Sequence, residues 1–254
     1  MIDIHHHLLP GIDDGPATLE ESLAAAERAA ADGVHTIAAT PHVREDHPAV
    51  RPAELAQRCE ELRLELEARD IPVEVVPGGE VDLLWTQGAS DEDLRLVSYA
   101  QRGLDLLVET PYGPLPATFE QRLFELQTKG YRLLLAHPER NPTFRSDPAR
   151  LAALVDRGIL LQVTAGALVD GGRSSSSRRL AQHMLESGLA HVIASDSHGS
   201  GIKRGALSNA VAAAAKRVGD RAEWMVTAAP AAILAGDRLE PPPPARKRRR
   251  FFRR

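Results

Sequence analysis

The chain has one cysteine, Cys59, in 254 residues. No internal disulfide can form, and this usage fits a reducing, cytoplasmic setting. Cys59 is also a poor candidate for thiolate-based phosphoester cleavage. That chemistry places an arginine six residues after the cysteine, and Glu65 stands there. Long apolar runs are missing too, since none approaches the roughly 18–20 residues that cross a bilayer. The opening Met1-Ile2-Asp3-Ile4-His5 lacks the basic-then-apolar layout of a secretory leader and reads as structure. No Walker loop is present and no Gly-x-Gly-x-x-Gly follows an apolar segment, so nucleotide binding has no support.

Charge is abundant but unevenly placed. The chain holds 31 Lys and Arg against 35 Asp and Glu, a net −4. Seven of those cations lie in the last nine residues, 246–254; without them 24 remain against 35, a net −11. So acidic a body is a poor nucleic-acid binder, because affinity there comes from neutralising phosphates. Before the basic run stands Pro241-Pro242-Pro243-Pro244, a stiff spacer. The expectation is one domain over residues 1–236, then a Pro-rich linker and a disordered basic tail over 237–254. The tail's sharper reading is an electrostatic contact with an anionic membrane surface, Phe251 and Phe252 inserting among headgroups. The protein would then be cytoplasmic and peripheral at the inner membrane face.

Seven short apolar segments read as strands: residues 2–5, 36–40, 73–76, 104–108, 132–136, 159–163 and 192–195. Helical periodicity fills the gaps at 19–31, 53–68, 118–129, 148–157, 177–187 and 206–217, with a short helix expected within 86–102. Alternating strands and helices predict an α/β fold with a parallel sheet. Nearly every apolar segment runs into a polar group with ligand chemistry: His5 and His7, His42, Glu80, Glu109, His137, then Asp196 and His198. An open sheet uses one or two strand ends at its switch point, whereas a barrel builds its site from many. The pattern therefore favours a barrel with its site at the C-terminal ends of the strands.

His5 and His7 are two residues apart on a strand, so their imidazoles share a face, and Asp196 and His198 repeat the spacing. His6 points the other way. The set contains nitrogen and oxygen donors only, which suits manganese, iron, zinc or magnesium. Eight ligands exceed the needs of one catalytic ion and imply two or three. Arg140 and Arg204 offer guanidinium forks for phosphate oxygens. His35, His47, His183 and His191 fall outside the pattern and read as structural.

Together, Asp3-Ile4-His5-His6-His7, Pro10-Gly11-Ile12-Asp13-Asp14-Gly15, Ala39-Thr40-Pro41-His42, Gly79-Glu80, Ala136-His137-Pro138-Glu139-Arg140 and Ser195-Asp196-Ser197-His198 carry a likeness. The chain resembles the PHP (polymerase and histidinol phosphatase) superfamily. Within it, the chain is similar to the bacterial manganese-dependent protein tyrosine phosphatases encoded with capsule and exopolysaccharide genes. The resemblance implies a distorted seven-stranded (β/α)7 barrel, manganese, and a phosphotyrosine substrate on a membrane-associated bacterial tyrosine kinase. It also implies a ligand set: His5, His7, Glu80 and Asp196 on one ion; Glu80, Glu109 and His137 on a second; Asp14, His42 and His198 on a third. Asp14 is chosen over Asp13 because it directly precedes Gly15. The chain departs from the family's pattern at His6, Thr164 and Gly205. The competing readings are a histidinol-phosphatase-like enzyme acting on small molecules and an amidohydrolase-type metal hydrolase, which also begins with His-x-His. A non-catalytic metal-bound module is the third.

Overall fold

Short runs of Leu, Ile, Val and Ala form nine parallel strands among the described residues of a computed structural model, which are 1–169, 175–199 and 206–243. The expectations for Arg204, Gly205 and the basic run 246–254 lie outside those residues. The strands are β1 (Ile2–His6), β2 (Thr36–Ala39), β3 (His42–Val43), β4 (Glu74–Pro77), β5 (Glu80–Val81), β6 (Asp105–Val108), β7 (Arg132–Leu135), β8 (Leu160–Thr164) and β9 (Val192–Ala194). Around them run helices α1 (Leu19–Ala31), α2 (Leu55–Glu67), α3 (Asp91–Val97), α4 (Phe119–Thr128), α5 (Pro142–Ser146) and α6 (Ala149–Asp156). Then come α7 (Ala165–Val169), α8 (Ser176–Glu186), α9 (Leu207–Val218), α10 (Arg221–Trp224) and α11 (Ala228–Ala235). Among the described residues no helix is long and apolar enough to cross a membrane.

The strands pair in the orders β1-β2-β4 and β3-β5-β6-β7-β8-β9. Nine strands replace the seven expected because two of the apolar runs continue in a second piece. Thr40-Pro41 separates β2 from β3, and Gly78-Gly79 separates β4 from β5. Proline has no N–H to give a ladder, and glycine has no side chain to hold a strand straight. Pairing resumes beyond the break, where the Glu80 amide donates to the Pro41 carbonyl at 3.0 Å. The last strand returns to the first. The Asp196 amide donates to the His5 carbonyl (2.8 Å), the His7 amide donates to the Ser197 carbonyl (2.9 Å), and His6 and Ser197 form a parallel bridge.

Buried aliphatic residues on the strands, including Ile4, Ile37, Leu106, Leu133, Leu161 and Ile193, build the core. Parallel strands covered on both faces read as continuous apolar runs, which is why they stand out in the sequence. Helix α1 begins at a reciprocal cap. Thr18 Oγ1 accepts from the Glu21 amide (3.3 Å), and Glu21 Oε2 accepts from the Ala17 amide (2.7 Å). The expected helix within 86–102 is α3, started by a Ser90–Asp93 capping box. Helices α5, α7, α10 and α11 were not expected. They span four to eight residues, too few to display a 3.6-residue period, and α11 is apolar on every side.

Gly79 marks where packing meets the site. A Cβ there would fall 2.6 Å from Val43 Cγ2 and 3.2 Å from Val97 Cβ, one residue before Glu80. Gly79→Ala is expected to destabilise the fold by about 1–3 kcal/mol through overpacking. Gly88→Ala, whose Cβ would meet nothing within 4 Å, should be nearly neutral. Urea denaturation of both variants checks this, and equal losses would contradict it.

Candidate metal centre

Histidine can ligate an ion only through a nitrogen that keeps its lone pair, so the partner of the other nitrogen decides which one that is. His5 Nδ1 lies 3.0 Å from Gln162 Oε1, and His7 Nδ1 lies 2.7 Å from Asp13 Oδ2. Both partners are acceptors, so Nδ1 carries the proton and donates. Nε2 of each ring is left facing inward. His198 follows the same rule, with Nδ1 donating to the Asp196 carbonyl at 3.1 Å.

The nitrogens of His5 and His7, with those of His42 and His137, converge on Glu80, which has no exposed surface. Glu80 Oε2 lies 3.3 Å from His5 Nε2, 3.5 Å from His7 Nε2 and 3.0 Å from His42 Nδ1. Glu80 Oε1 lies 2.9 Å from His137 Nε2. Asp196 Oδ1 stands 3.3 Å from His5 Nε2 and 3.6 Å from His7 Nε2. Glu109 Oε2 is 3.9 Å from His42 Nδ1. Asp14, with 55% of its side chain exposed, places Oδ1 3.3 Å from His198 Nε2 and 3.6 Å from His42 Nε2.

All nine sequence-derived ligand positions therefore meet in one place. Their donor atoms form four overlapping groups in which all atoms lie within 4.8 Å of one another. These are His7-Asp14-His42-His198, His5-His137-Asp196, His5-His7-Glu80 and His42-Glu80-Glu109. The groups overlap, since His5, His7, His42 and Glu80 each enter two of them. His42 presents Nδ1 toward Glu80 and Nε2 toward Asp14.

Whether these residues suit metal ions can be tested on their own chemistry. His5 Nε2, His7 Nε2, His42 Nδ1 and Glu80 Oε2 are buried and have no hydrogen-bond partner. Each unsatisfied buried polar atom costs about 1–3 kcal/mol. Divalent cations would satisfy them together, and the all-nitrogen-and-oxygen donor set fits hard or borderline ions. Two of the residues also hold left-handed backbone, His137 at φ 36° and Asp196 at φ 53°. Away from glycine that conformation costs about 1–2 kcal/mol, and such strain gathers at functional sites.

The carboxylates of the centre raise the proton affinity of the imidazoles they surround. Burial works against a charged His7, but Asp13, Asp196 and Glu80 hold its imidazole well above the ordinary histidine range. His5 is raised too, against burial, by Glu80 and Asp196. Burial pushes Glu80 up, yet His5, His137 and His42 hold its carboxyl well below the usual range. Glu109 is raised by burial and by Glu80 beside it.

Arg140 ends the turn that begins at His137. Its Nη2 lies 2.5 Å from Asp196 Oδ2, and its Nη1 donates to the Tyr112 hydroxyl at 3.4 Å. Sequence reasoning missed Asp13, Gln162, Arg44 and Tyr112. Arg44 Nη1 lies 3.3 Å from Glu109 Oε1. Gln162 left a signal, being a lone polar residue inside the apolar run of β8. Asp13 left half of one, as a second carboxylate beside Asp14. His47, read as structural, stacks on His42 with ring centroids 5.4 Å apart. His35 and His183 bond locally, with Thr36 and Ser187, and His191 accepts from the Leu161 amide on the neighbouring strand.

A family model described as capsular polysaccharide synthesis, CpsB/CapC, matches residues 1–235. The chain belongs to this family. It is 34% identical over 230 residues to the tyrosine-protein phosphatase YwqE of Bacillus subtilis, with 89% of each chain covered. It is 32% identical over 200 residues to the putative tyrosine-protein phosphatase CapC of Staphylococcus aureus, covering 78% of this chain and 77% of that one. A chain from the crystal structures of YwqE from B. subtilis and CpsB from Streptococcus pneumoniae, described as unique metal-dependent tyrosine phosphatases, matches with a TM-score of 0.83. It is 30% identical, and the match covers 97% of this chain and 100% of that one. An organophosphorus hydrolase from Deinococcus radiodurans shares the fold at 14% identity and a TM-score of 0.54, covering 92% of both.

In this CpsB/CapC member, Asp13→Asn should lower manganese affinity about 10–100-fold, because the amide can present its NH2 where His7 needs an acceptor. Affinity should also fall from pH 8 to pH 6. The raised His5 and His7 hold protons that an incoming ion must displace, so acid favours the protonated, ion-free form. Competition titration against a fluorescent chelator measures both effects, and an affinity indifferent to either change would contradict the assignment.

Proposed function

We propose that the chain is a metal-dependent protein tyrosine phosphatase acting on a membrane-associated bacterial tyrosine kinase in capsule or exopolysaccharide synthesis. The observation that carries this reading is the pool of nine nitrogen and oxygen ligands with Arg140 at its edge, in a chain one-third identical to YwqE. On this reading β2 with β3 and β4 with β5 each act as one strand. The β9-to-β1 hydrogen bonds then make the sheet a distorted seven-stranded barrel of the PHP type, with the centre at the C-terminal strand ends. His5, His7, Asp14, His42, Glu80, Glu109, His137, Asp196 and His198 would hold two or three divalent ions, manganese first, with iron, zinc or magnesium as substitutes.

Bound ions would supply Lewis acidity and lower the pKa of water at the centre. The side chains do the positioning. Asp13 and Gln162 fix the His7 and His5 rings with Nε2 inward. Asp196 holds the Arg140 guanidinium, whose planar fork fits the non-bridging oxygens of a phosphate. Phosphoryl transfer depends mainly on such positioning and charge stabilisation. A phenolate, with a reference pKa of about 10, leaves with less protonation than an alkoxide, which favours tyrosine esters over serine esters. Cys59 has no part in the chemistry, because it is fully buried and burial pushes its thiol up to about 12. Arg204 is proposed as a second phosphate contact and the basic tail as a contact with anionic lipid; both lie outside the described residues.

Chelation followed by dialysis should abolish hydrolysis, and added manganese should restore it. A panel of phosphotyrosine peptide, phosphoserine peptide and histidinol phosphate should show preference for the first; preference for histidinol phosphate would transfer the assignment to a small-molecule phosphatase. Arg140→Ala should lower kcat on the phosphotyrosine peptide by about 10²–10³, as loss of a charge-stabilising donor does, with metal content by elemental analysis unchanged. Undiminished turnover by that variant would remove Arg140 from the mechanism.

A further inference from the structure

Tyr112 is a large aromatic residue left 57% exposed at the edge of the centre. It lies in the loop between β6, which ends beside Glu109, and α4. Its ring lies nearly parallel to that of His137, with centroids 5.9 Å apart and planes 24° apart. Its hydroxyl meets Arg140 Nη1 at 3.4 Å. Tyr112 thus stands between a candidate ion ligand and the guanidinium proposed to hold phosphate.

The loop is tied down on both sides of this ring. Asn141 Nδ2 donates to the carbonyls of Pro111 (2.6 Å) and Gly113 (2.9 Å), the two residues flanking Tyr112. Thr110 Oγ1 donates to the Ala136 carbonyl, and the Leu115 amide donates to Thr143 Oγ1 at 3.1 Å. Asn141 directly follows Arg140, so the same turn that presents the guanidinium also fixes the aromatic. An exposed ring normally turns freely, at a cost in order when it binds; this one has been ordered by its neighbours in advance.

A phosphate monoester held by Arg140 would carry its organic group within reach of Tyr112, whose hydroxyl touches the same guanidinium and whose ring is exposed. We propose that the Tyr112 ring is a specificity-determining contact that stacks against the aromatic ring of an aryl phosphate. The contact selects aryl over alkyl phosphates independently of leaving-group chemistry. This rests on the phosphatase reading above and adds to it a residue that reads the substrate's organic half.

Non-hydrolysable phosphonates separate recognition from turnover. Competitive inhibition by phenylphosphonate and methylphosphonate is measured on the manganese-loaded enzyme, its Tyr112→Ala variant and its Tyr112→Phe variant. The wild type should bind phenylphosphonate more tightly. Tyr112→Ala should weaken phenylphosphonate about five- to tenfold, the range of an aromatic pair, and methylphosphonate less than twofold. Tyr112→Phe should keep the wild-type ratio, because the ring remains. Equal weakening of both phosphonates, a Phe variant that behaves like Ala, or a wild type with no aryl preference would each overturn the proposal. A wild type that fails to hydrolyse phosphotyrosine defeats the phosphatase reading instead, so the two failures are distinct.

Discussion

A carboxylate removed from water must be matched by positive charge, and Glu80 is removed from water completely. Four imidazoles, from His5, His7, His42 and His137, surround its two oxygens at 2.9–3.5 Å. Neutral imidazoles with lone pairs turned inward cannot neutralise it. The conflict has two solutions, namely protons on the rings or cations among them. The neighbouring carboxylates raise His5 and His7 toward the protonated form, and divalent ions would compete with those protons. Much of the rest of the structure serves to hold this arrangement in place.

The parallel sheet brings the pieces together. Glu80 starts β5, His5 lies on β1, and His42 starts β3, while His137 and Asp196 lie two residues beyond β7 and β9. Because neighbouring parallel strands end at one edge, residues nearly two hundred positions apart become neighbours without long loops. The left-handed turns at His137 and Asp196 show that the arrangement overrides local backbone preference at two ligands. Behind the inward-facing atoms, Asp13 and Gln162 set the tautomers. The Thr164 amide ties the end of β8 to Glu139 Oε1 at 2.9 Å. That bond uses backbone, so it does not depend on which side chain stands at position 164.

Sequence made the strand ends legible because an apolar run that stops at a histidine or carboxylate is a one-dimensional signal. Helix α1 was legible to its last residue, since its periodicity runs over the whole of 19–31. Three things were not. The division of two strands needed the geometry of Pro41 and Gly79 rather than their presence alone. The turning of His42, with Nδ1 toward Glu80 and Nε2 toward Asp14, is encoded in no spacing. The roles of Asp13 and Asp14 are separated by the turn at Gly15, where a Cβ would fall 2.8 Å from the His7 carbonyl oxygen. That turn leaves Asp13 under His7 and Asp14 toward His198. Tyr112 was invisible for a further reason: a loop aromatic carries no period, and its order comes from Asn141 across the site.

The most direct test is anomalous diffraction at the manganese edge from crystals grown with that ion. The account predicts two or three peaks inside the ring of His5, His7, Asp14, His42, Glu80, Glu109, His137, Asp196 and His198, with Glu80 next to more than one of them. Anomalous density confined to other surfaces, or its absence from that ring at saturating manganese, would contradict it.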